Sequence, residues 1–493
     1  MQVLEADHLA VGALAPIVSP GAVAIADGRV IAAGAADDLH RAYPHWKRIV
    51  LPNAILLPGF VNAHQHGRGL SQVQLGYPDD ALEPWIANRR RRGAPDSYAL
   101  TKLAALEMIA NGVTATLHAN YSYGSGDYEA ELRGSIRAYD ETGLRATVCV
   151  GYADQGGIIY PPHDERSFIG ALSGTTQDHL KAAIKSAYLP SVSDTIALMQ
   201  RLQADYRGHP TLSFAYGPAG PQWVSDGAWR ELAADAVKRG VGLHFHLLES
   251  PAQAASLRAL YPQGVLHHLD TLGVFSSPTS CAHFVHASSA DIDEARRVGL
   301  VVVSNPGSNL RLFNGAPPLV GLLRGGVEVA LGTDNCSLND DEDYLRELRL
   351  GGALAREPGV LATGPSSMDL LRMATIAGAK AAFLNGIGML EAGAGADLIA
   401  IDLRKIKGTW LDPDTNLLDA IMSRGSGQDV ILTMVAGRIL YHRGEFISAD
   451  YHVAAETAAV SAGSSRSAGG HASAVTQELK AALRAAYRGV EQP

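Results

Sequence analysis

The amino-acid sequence predicts an α/β protein: a (β/α)8 barrel with a small β-sandwich domain built from both chain ends. Eight short β-branched runs recur through the middle of the chain, each ending in polar or small residues ahead of a helix-like segment. Strand alternating with helix in this way is the pattern of a parallel barrel, in which functional side chains sit at the C-terminal ends of the strands. Histidines and one aspartate fall at the ends of four of those runs. Strand-like stretches with turn signals precede the first run and return after the last, which points to a second, smaller β unit.

Taken in order, residues 1–56 supply the first part of the small domain, with turns at Ser19-Pro20-Gly21 and Asp27-Gly28. The barrel is expected over 57–380, on the runs Ala54–Val61, Val113–His118, Arg145–Val150, Thr211–Tyr216, Val241–His246, Ser280–Val285, Leu300–Ser304 and Val327–Thr333. Helical patterns such as Asp226–Arg239 and Asp291–Val298 lie between them. Residues 381–452 return to the small domain through Ala396–Ile401 and Val430–Gly437. The last segment, 453–493, is an Ala/Ser-rich tail, with a flexible join around Ser461–Ala474 and a terminal helix over Val475–Tyr487.

A chain of 493 residues can bury a deep, dry pocket, and 47% hydrophobic with 18% charged residues is a globular composition whose longest apolar runs fall short of a membrane span. No secretory signal is expected from Met1–Asp7, which has acids early and no basic region before an apolar stretch. The cysteines Cys149, Cys281 and Cys336 are far apart and form no C-x-x-C, so neither a disulfide framework nor a thiolate metal site is written, and a reducing cytoplasm fits. A net charge of −9 argues against nucleic acid as a partner. The run Arg89-Arg90-Arg91-Arg92 is read as a solvated helix end, with contact to an anionic substrate as the alternative.

The chemistry lies at the ends of the runs. Side chains alternate across a strand, so His64 and His66 share one face and can grip one cation. Burying two imidazoles without a partner costs free energy, and a metal supplies the partner. His244-Phe245-His246 repeats the spacing, so at least one of that pair can reach the same ion. His246 is favoured because Glu249 follows at a spacing that brings a carboxylate over the metal, although a glutamate there also suits a helix start. His283 and His286, three residues apart, cannot share a strand face; His283 is the candidate and His286 is read as structural. Asp334 closes the eighth run, as a ligand or as a turn aspartate. Imidazoles and a carboxylate without thiolate suit one divalent metal, zinc first and iron(II) second, with room for a water.

These motifs carry a resemblance that covers most of the chain. Pro58–His66, His246–Glu249, Ala282–His286, Ser304–Asn309 with Leu331–Asp334, and Gly386–Leu398 resemble successive signatures of the amidohydrolase superfamily, in its cytosine deaminase-like and triazine hydrolase-like branch. The resemblance implies metal ligands at His64, His66, His246 and Asp334, a hydrolytic water held by His283, and proton transfer by Glu249. It also suggests a homodimer. No lysine closes the fourth run, Phe214–Pro218, so a lysine-bridged pair of metals is not expected. Where nucleoside-deaminating relatives carry a histidine after the fourth strand, this chain reads Gly217-Pro218-Ala219-Gly220-Pro221-Gln222, which weighs against an adenosine-type substrate. Ser304 likewise stands where a histidine is common. The stretch Arg68–Trp85 should form a lid, with Arg68, Trp85 and Gln222 as candidate substrate contacts and Trp85 read first as packing, then as a stacking surface.

The expected activity is hydrolytic deamination of a small amino-substituted nitrogen heterocycle, a nucleobase, pteridine or s-triazine. A hydroxide generated at the metal would attack, His283 and Asp334 would orient it and take its proton, and Glu249 would protonate the ring nitrogen. The alternatives are hydrolysis of a C–Cl, alkylamino or amide C–N bond at the same site, and a metal-holding barrel without turnover. The nucleic-acid cytidine deaminase type is excluded, because its P-C-x-x-C signature is absent.

Overall fold

The computed structural model describes residues 1–89, 93–185, 187–335, 337–360, 363–468 and 472–490. Arg90, Arg91 and Arg92 of the arginine run, and Cys336, therefore lie outside the described residues. Strands β1 (Gln2–Leu9), β2 (Gly21–Ala26), β3 (Arg29–Ala35) and β4 (Lys47–Pro58) open the chain. The barrel strands follow as β5 (Phe60–Gln65), β6 (Val113–His118), β7 (Arg145–Tyr152), β8 (Leu212–Pro218), β9 (Leu243–Leu247), β10 (Thr279–His283), β11 (Val301–Ser304) and β12 (Val329–Leu331). The chain then returns through β13 (Leu398–Asp402), β14 (Val430–Val435), β15 (Arg438–His442) and β16 (Glu445–Phe446).

The eight middle strands pair in parallel in chain order, and a bridge between Gln65 and Asp334 brings the last edge to the first. That closure needs the backbones close together: a Cβ on Gly332 would lie 2.7 Å from the His64 carbonyl oxygen. The other sheet runs β16-β15-β14-β13-β4-β1-β2-β3, with strands from both chain ends side by side. At the base of the barrel the helix Ile376–Ala381 presents alanines and Gly378 to the strands, where a Cβ would stand 2.8 Å from that of Val61. Among the described residues no helix is long and apolar enough to cross a membrane.

Two expectations are corrected. The apolar run Ala54–Val61 is not one strand: its first half ends β4 in the mixed sheet, and its second half begins β5 in the barrel. Every residue from Ala54 to Gln65 is buried, so hydrophobicity changes nowhere along the run, and Pro58-Gly59 is the only punctuation. The alanine-rich segment after 453 is helical as well, over Tyr451–Ala468 and again over Ala472–Tyr487, in keeping with alanine's high helix propensity. The expected flexible join falls partly on 469–471, outside the described residues. The terminal helix docks on the segment that follows β5, where Lys480 Nζ lies 2.7 Å from Asp80.

Barrel and mixed sheet are joined by an ion pair between a half-buried arginine and a buried aspartate. Arg145, opening β7, donates to Asp397 through Nε at 2.6 Å and Nη2 at 3.0 Å, and Asp397 also accepts from the Ala436 amide at 2.7 Å. Asp397 is buried, so removing its partner leaves an uncompensated charge. Arg145→Leu is expected to destabilise the fold by about 3 kcal/mol, read from the chemical denaturation midpoint, and Arg145→Leu/Asp397→Leu to recover part of that loss. Equal midpoints for wild type and Arg145→Leu would remove the pair from the account of how the two sheets are held.

Candidate active site

The polar cluster sits at the C-terminal mouth of the barrel because consecutive strands end there in register. His64 and His66 come from the end of β5, His246 from β9, His283 from the last position of β10, and Asp334 follows β12. Turning these side chains inward takes unusual backbone. Leu248 (φ 51°), His283 (φ 78°), Phe284 (φ 54°) and Asp334 (φ 56°) all occupy the left-handed region, where non-glycine residues are strained. Such strain persists only where the surrounding packing imposes it, and it clusters at functional sites.

The six side chains His64, His66, His246, His283, Glu249 and Asp334 come together, as their spacing predicts. Asp334 Oδ1 lies 2.8 Å from His66 Nε2 and 3.4 Å from His64 Nε2. The ring centroids of His64 lie 4.9 Å from His66, 5.0 Å from His246 and 5.5 Å from His283. One donor atom from each of His64, His66 and His246 falls within a 4.8 Å cluster, and so does one from each of His64, His283 and Asp334. His64 Nε2, His283 Nε2 and Asp334 Oδ1 are buried there without a hydrogen-bond partner among the described residues. Orphaned acceptors in a dry pocket are costly unless something fills the gap between them, so this donor set fits a divalent cation.

Electrostatics favour the same charge state. Burial holds His64 well below the ordinary histidine range and brings His66 and His246 down to about 4, so their rings are neutral with lone pairs available. Burial works to raise Asp334, but the imidazoles of His64, His66 and His283 that face it outweigh this and keep the carboxyl well below its usual range. Glu249 goes the other way: burial first, then the charges of Asp334 and Glu83, push it well above the usual carboxylate range. Two acids in one pocket with opposed proton affinities suit separate roles, one carboxylate and one proton donor.

Several groups that orient these side chains escaped the sequence reading. Asn314 Nδ2 donates to Glu249 Oε1 at 3.1 Å, and Gln253 Oε1 accepts from the Glu249 amide at 2.7 Å. His283 Nε2 lies 3.5 Å from Glu249 Oε2. Ser308 Oγ donates to Asp334 Oδ2 at 2.5 Å, and His283 Nδ1 bonds Asn309 Oδ1 at 2.8 Å. Ser308 and Asn309 belong to the Ser304–Asn309 motif already singled out, so their importance was signalled without their contacts. His244, a possible ligand from its spacing, instead meets the outer nitrogen of His64 at 2.8 Å.

The three candidate substrate contacts fall in different settings. Trp85 is buried in the helix Leu82–Arg89 beside Leu82 and Leu312, its Nε1 donates to Gln72 Oε1 at 3.1 Å, and the Arg68 and Arg89 guanidiniums stand over its ring at 5.5 and 5.1 Å. Packing, the first of the two readings of Trp85, describes that setting. Arg68 also lies over Tyr121, at 4.7 Å, and Tyr121 meets the His66 ring edge-on at 4.9 Å. Gln222 is fully buried past the end of β8, with both carboxamide atoms lacking a partner among the described residues.

Comparison with known proteins agrees with this geometry. The chain is 28% identical over 437 residues to the 5′-deoxyadenosine deaminase of Methanosarcina mazei, covering 86% of this chain and 88% of that one. It is 30% identical over 442 residues to the 5-methylthioadenosine/S-adenosylhomocysteine deaminase of Moorella thermoacetica, covering 88% and 93%. Among solved structures it resembles an adenosine deaminase from Xanthomonas campestris with bound zinc, at a TM-score of 0.78 and 25% identity over 94% of this chain and 98% of that one. The pattern described as the Amidohydrolase family matches residues 55–440, from inside β4 through the whole barrel and into β15, and the chain belongs to that family.

Proposed function

We propose that this enzyme hydrolytically deaminates an amino-substituted nitrogen heterocycle, with His64, His66, His246 and Asp334 holding one divalent cation, zinc before iron(II), and with His283 and Glu249 moving protons. The observation that carries the reading is the set of buried Nε2 and carboxylate oxygen atoms converging at the mouth without hydrogen-bond partners among the described residues, beside a glutamate whose proton affinity burial raises. The names of the relatives support the reaction class. When bound, the cation supplies Lewis acidity that makes water a nucleophile near neutral pH.

The chain's own residues do the rest. His283 Nδ1 is engaged with Asn309 Oδ1, which leaves the Nε2 lone pair facing the mouth to take a proton from the attacking water. Glu249, held by Asn314 and Gln253, donates its proton to the ring nitrogen beside the carbon under attack. That proton keeps negative charge from accumulating on the ring. The proton taken by His283 is then handed on to the departing amino group, and the second proton of the water returns to Glu249 as the carbonyl forms, so that one water enters, ammonia leaves and the glutamate is restored. Burial of the mouth excludes the bulk solvent that would compete for these protons.

The relatives above are named as deaminases of 5′-deoxyadenosine and of 5-methylthioadenosine/S-adenosylhomocysteine, yet here the turn after β8 has Ala219, whose carbonyl bonds His246 Nδ1 at 2.9 Å, and the buried Gln222. The test is therefore a screen of the zinc-loaded protein over adenosine derivatives, free aminopurines, pteridines, aminopyrimidines and s-triazines, with ammonium and chloride monitored together. Ammonium release from one ring class at one metal per chain is the expected result. Chloride or alkylamine release alone would move the activity to the alternative leaving groups, and metal without turnover on any ring would favour the non-catalytic barrel. A homodimer in a reducing cytoplasm belongs to the same proposal, and light scattering at known concentration tests its assembly.

A further inference from the structure

Three of the four imidazoles at the mouth rest their outer nitrogens on atoms that can only accept a proton. His66 Nδ1 lies 2.6 Å from the Ala119 carbonyl, His246 Nδ1 2.9 Å from the Ala219 carbonyl, and His283 Nδ1 2.8 Å from Asn309 Oδ1, its nearest partner, with the Asn305 Nδ2 donor farther off at 3.5 Å. Each of these rings therefore carries its proton on Nδ1 and turns the Nε2 lone pair inward. His64 is different. Its Nδ1 lies 2.8 Å from another imidazole nitrogen, His244 Nε2, and two imidazoles can share a proton in either direction.

The direction is decided one residue further out. Ser280 Oγ donates to the Ala381 carbonyl at 2.8 Å, which uses its only proton, so at 2.7 Å from His244 Nδ1 the same oxygen must accept. His244 is then protonated on Nδ1, its Nε2 accepts, and His64 donates from Nδ1. His64 Nε2 is left with a lone pair, 3.4 Å from Asp334 Oδ1 and, among the described residues, without a hydrogen bond. A second proton on His244 would reverse this order, but the ring is buried and, among the described residues, no carboxylate is bonded to it. The relay starts at the last residue of the helix Ile376–Ala381, which plugs the base of the barrel, so packing at the base reaches a side chain at the mouth.

We propose that His244 is a positioning residue and not a ligand: with Ser280 and the Ala381 carbonyl it locks His64 in the tautomer that presents the Nε2 lone pair to the cation. This rests on the metal reading above. Outer partners of ligating histidines fix ring orientation and tautomer, and their loss commonly weakens metal binding 10–100-fold. Zinc affinity of the full-length protein, measured by competition with a chromophoric chelator, should fall about tenfold or more in His244→Leu, and fall in the same direction in Ser280→Ala. His244→Gln supplies a carbonyl oxygen that still accepts from His64 and should stay within about threefold of wild type. Because glutamine needs no serine to set its acceptor, Ser280→Ala should add little in the His244→Gln background.

Wild-type affinity in His244→Leu, or equal losses in His244→Leu and His244→Gln, would overturn the lock. If His244→Leu fails to fold, Ser280→Ala and nitrogen-15 histidine spectra of the metal-free protein decide instead: His64 must show its proton on Nδ1, and an Nε2–H pattern overturns the proposal. Absence of zinc binding in the wild type would sink the metal reading, while those spectra would still report the tautomer of His64 and judge the lock on its own.

Discussion

Glu249→Gln is expected to keep the metal and the fold yet lower kcat by about a hundredfold or more, the usual scale for a positioned acid–base group. Glutamine preserves the shape of the side chain and can still accept from Asn314, which lies 3.1 Å away. What it removes is the transferable proton. The carboxyl is buried among Asp334, Glu83 and His283, where water cannot substitute as a donor, and its raised proton affinity suits it to protonate a weakly basic ring nitrogen. A steady-state assay beside elemental analysis separates chemistry from metal loss. Wild-type turnover in Glu249→Gln would take the glutamate out of the mechanism, and an unchanged kcat with a raised KM would assign it to substrate binding.

Asp334→Asn is expected to abolish turnover by a different route, because the cation is no longer held. The substitution is nearly isosteric, but it removes the carboxylate that faces His64 and His66 and replaces it with a neutral amide. Metal affinity should fall at least a hundredfold, beyond the 10–100-fold that outer partners of a ligand cost. Excess zinc should then restore only a small fraction of the rate. The fold should survive, since burying the charged form is itself unfavourable in the absence of the cation. A variant that retained stoichiometric zinc and wild-type turnover would show that the carboxylate lies outside the metal's coordination.

Much of this was legible in the chain because barrel chemistry is tied to strand ends, and strand ends are written in hydrophobicity. His64, His66, His246, His283 and Asp334 each follow an apolar run, and Glu249 follows His246 at a fixed distance. The division of Ala54–Val61 between two sheets was not legible, since both halves are buried and carry the same apolar code. Nor was the helix over Tyr451–Ala468, where serines and glycines masked the propensity of the alanines between them.

The roles of the two histidines in His244-Phe245-His246 mark the boundary between the two kinds of information. The linear order of the residues determined that an eight-stranded barrel forms and that imidazoles and a carboxylate gather at its mouth, because periodicity and strand-end position are local properties. Which imidazole faces the cation and which supports its neighbour was decided only by the folded chain. That choice depends on which acceptors lie behind each ring, and Ala119, Ala219, Asn309, Ser280 and Ala381 reach those positions from distant parts of the sequence.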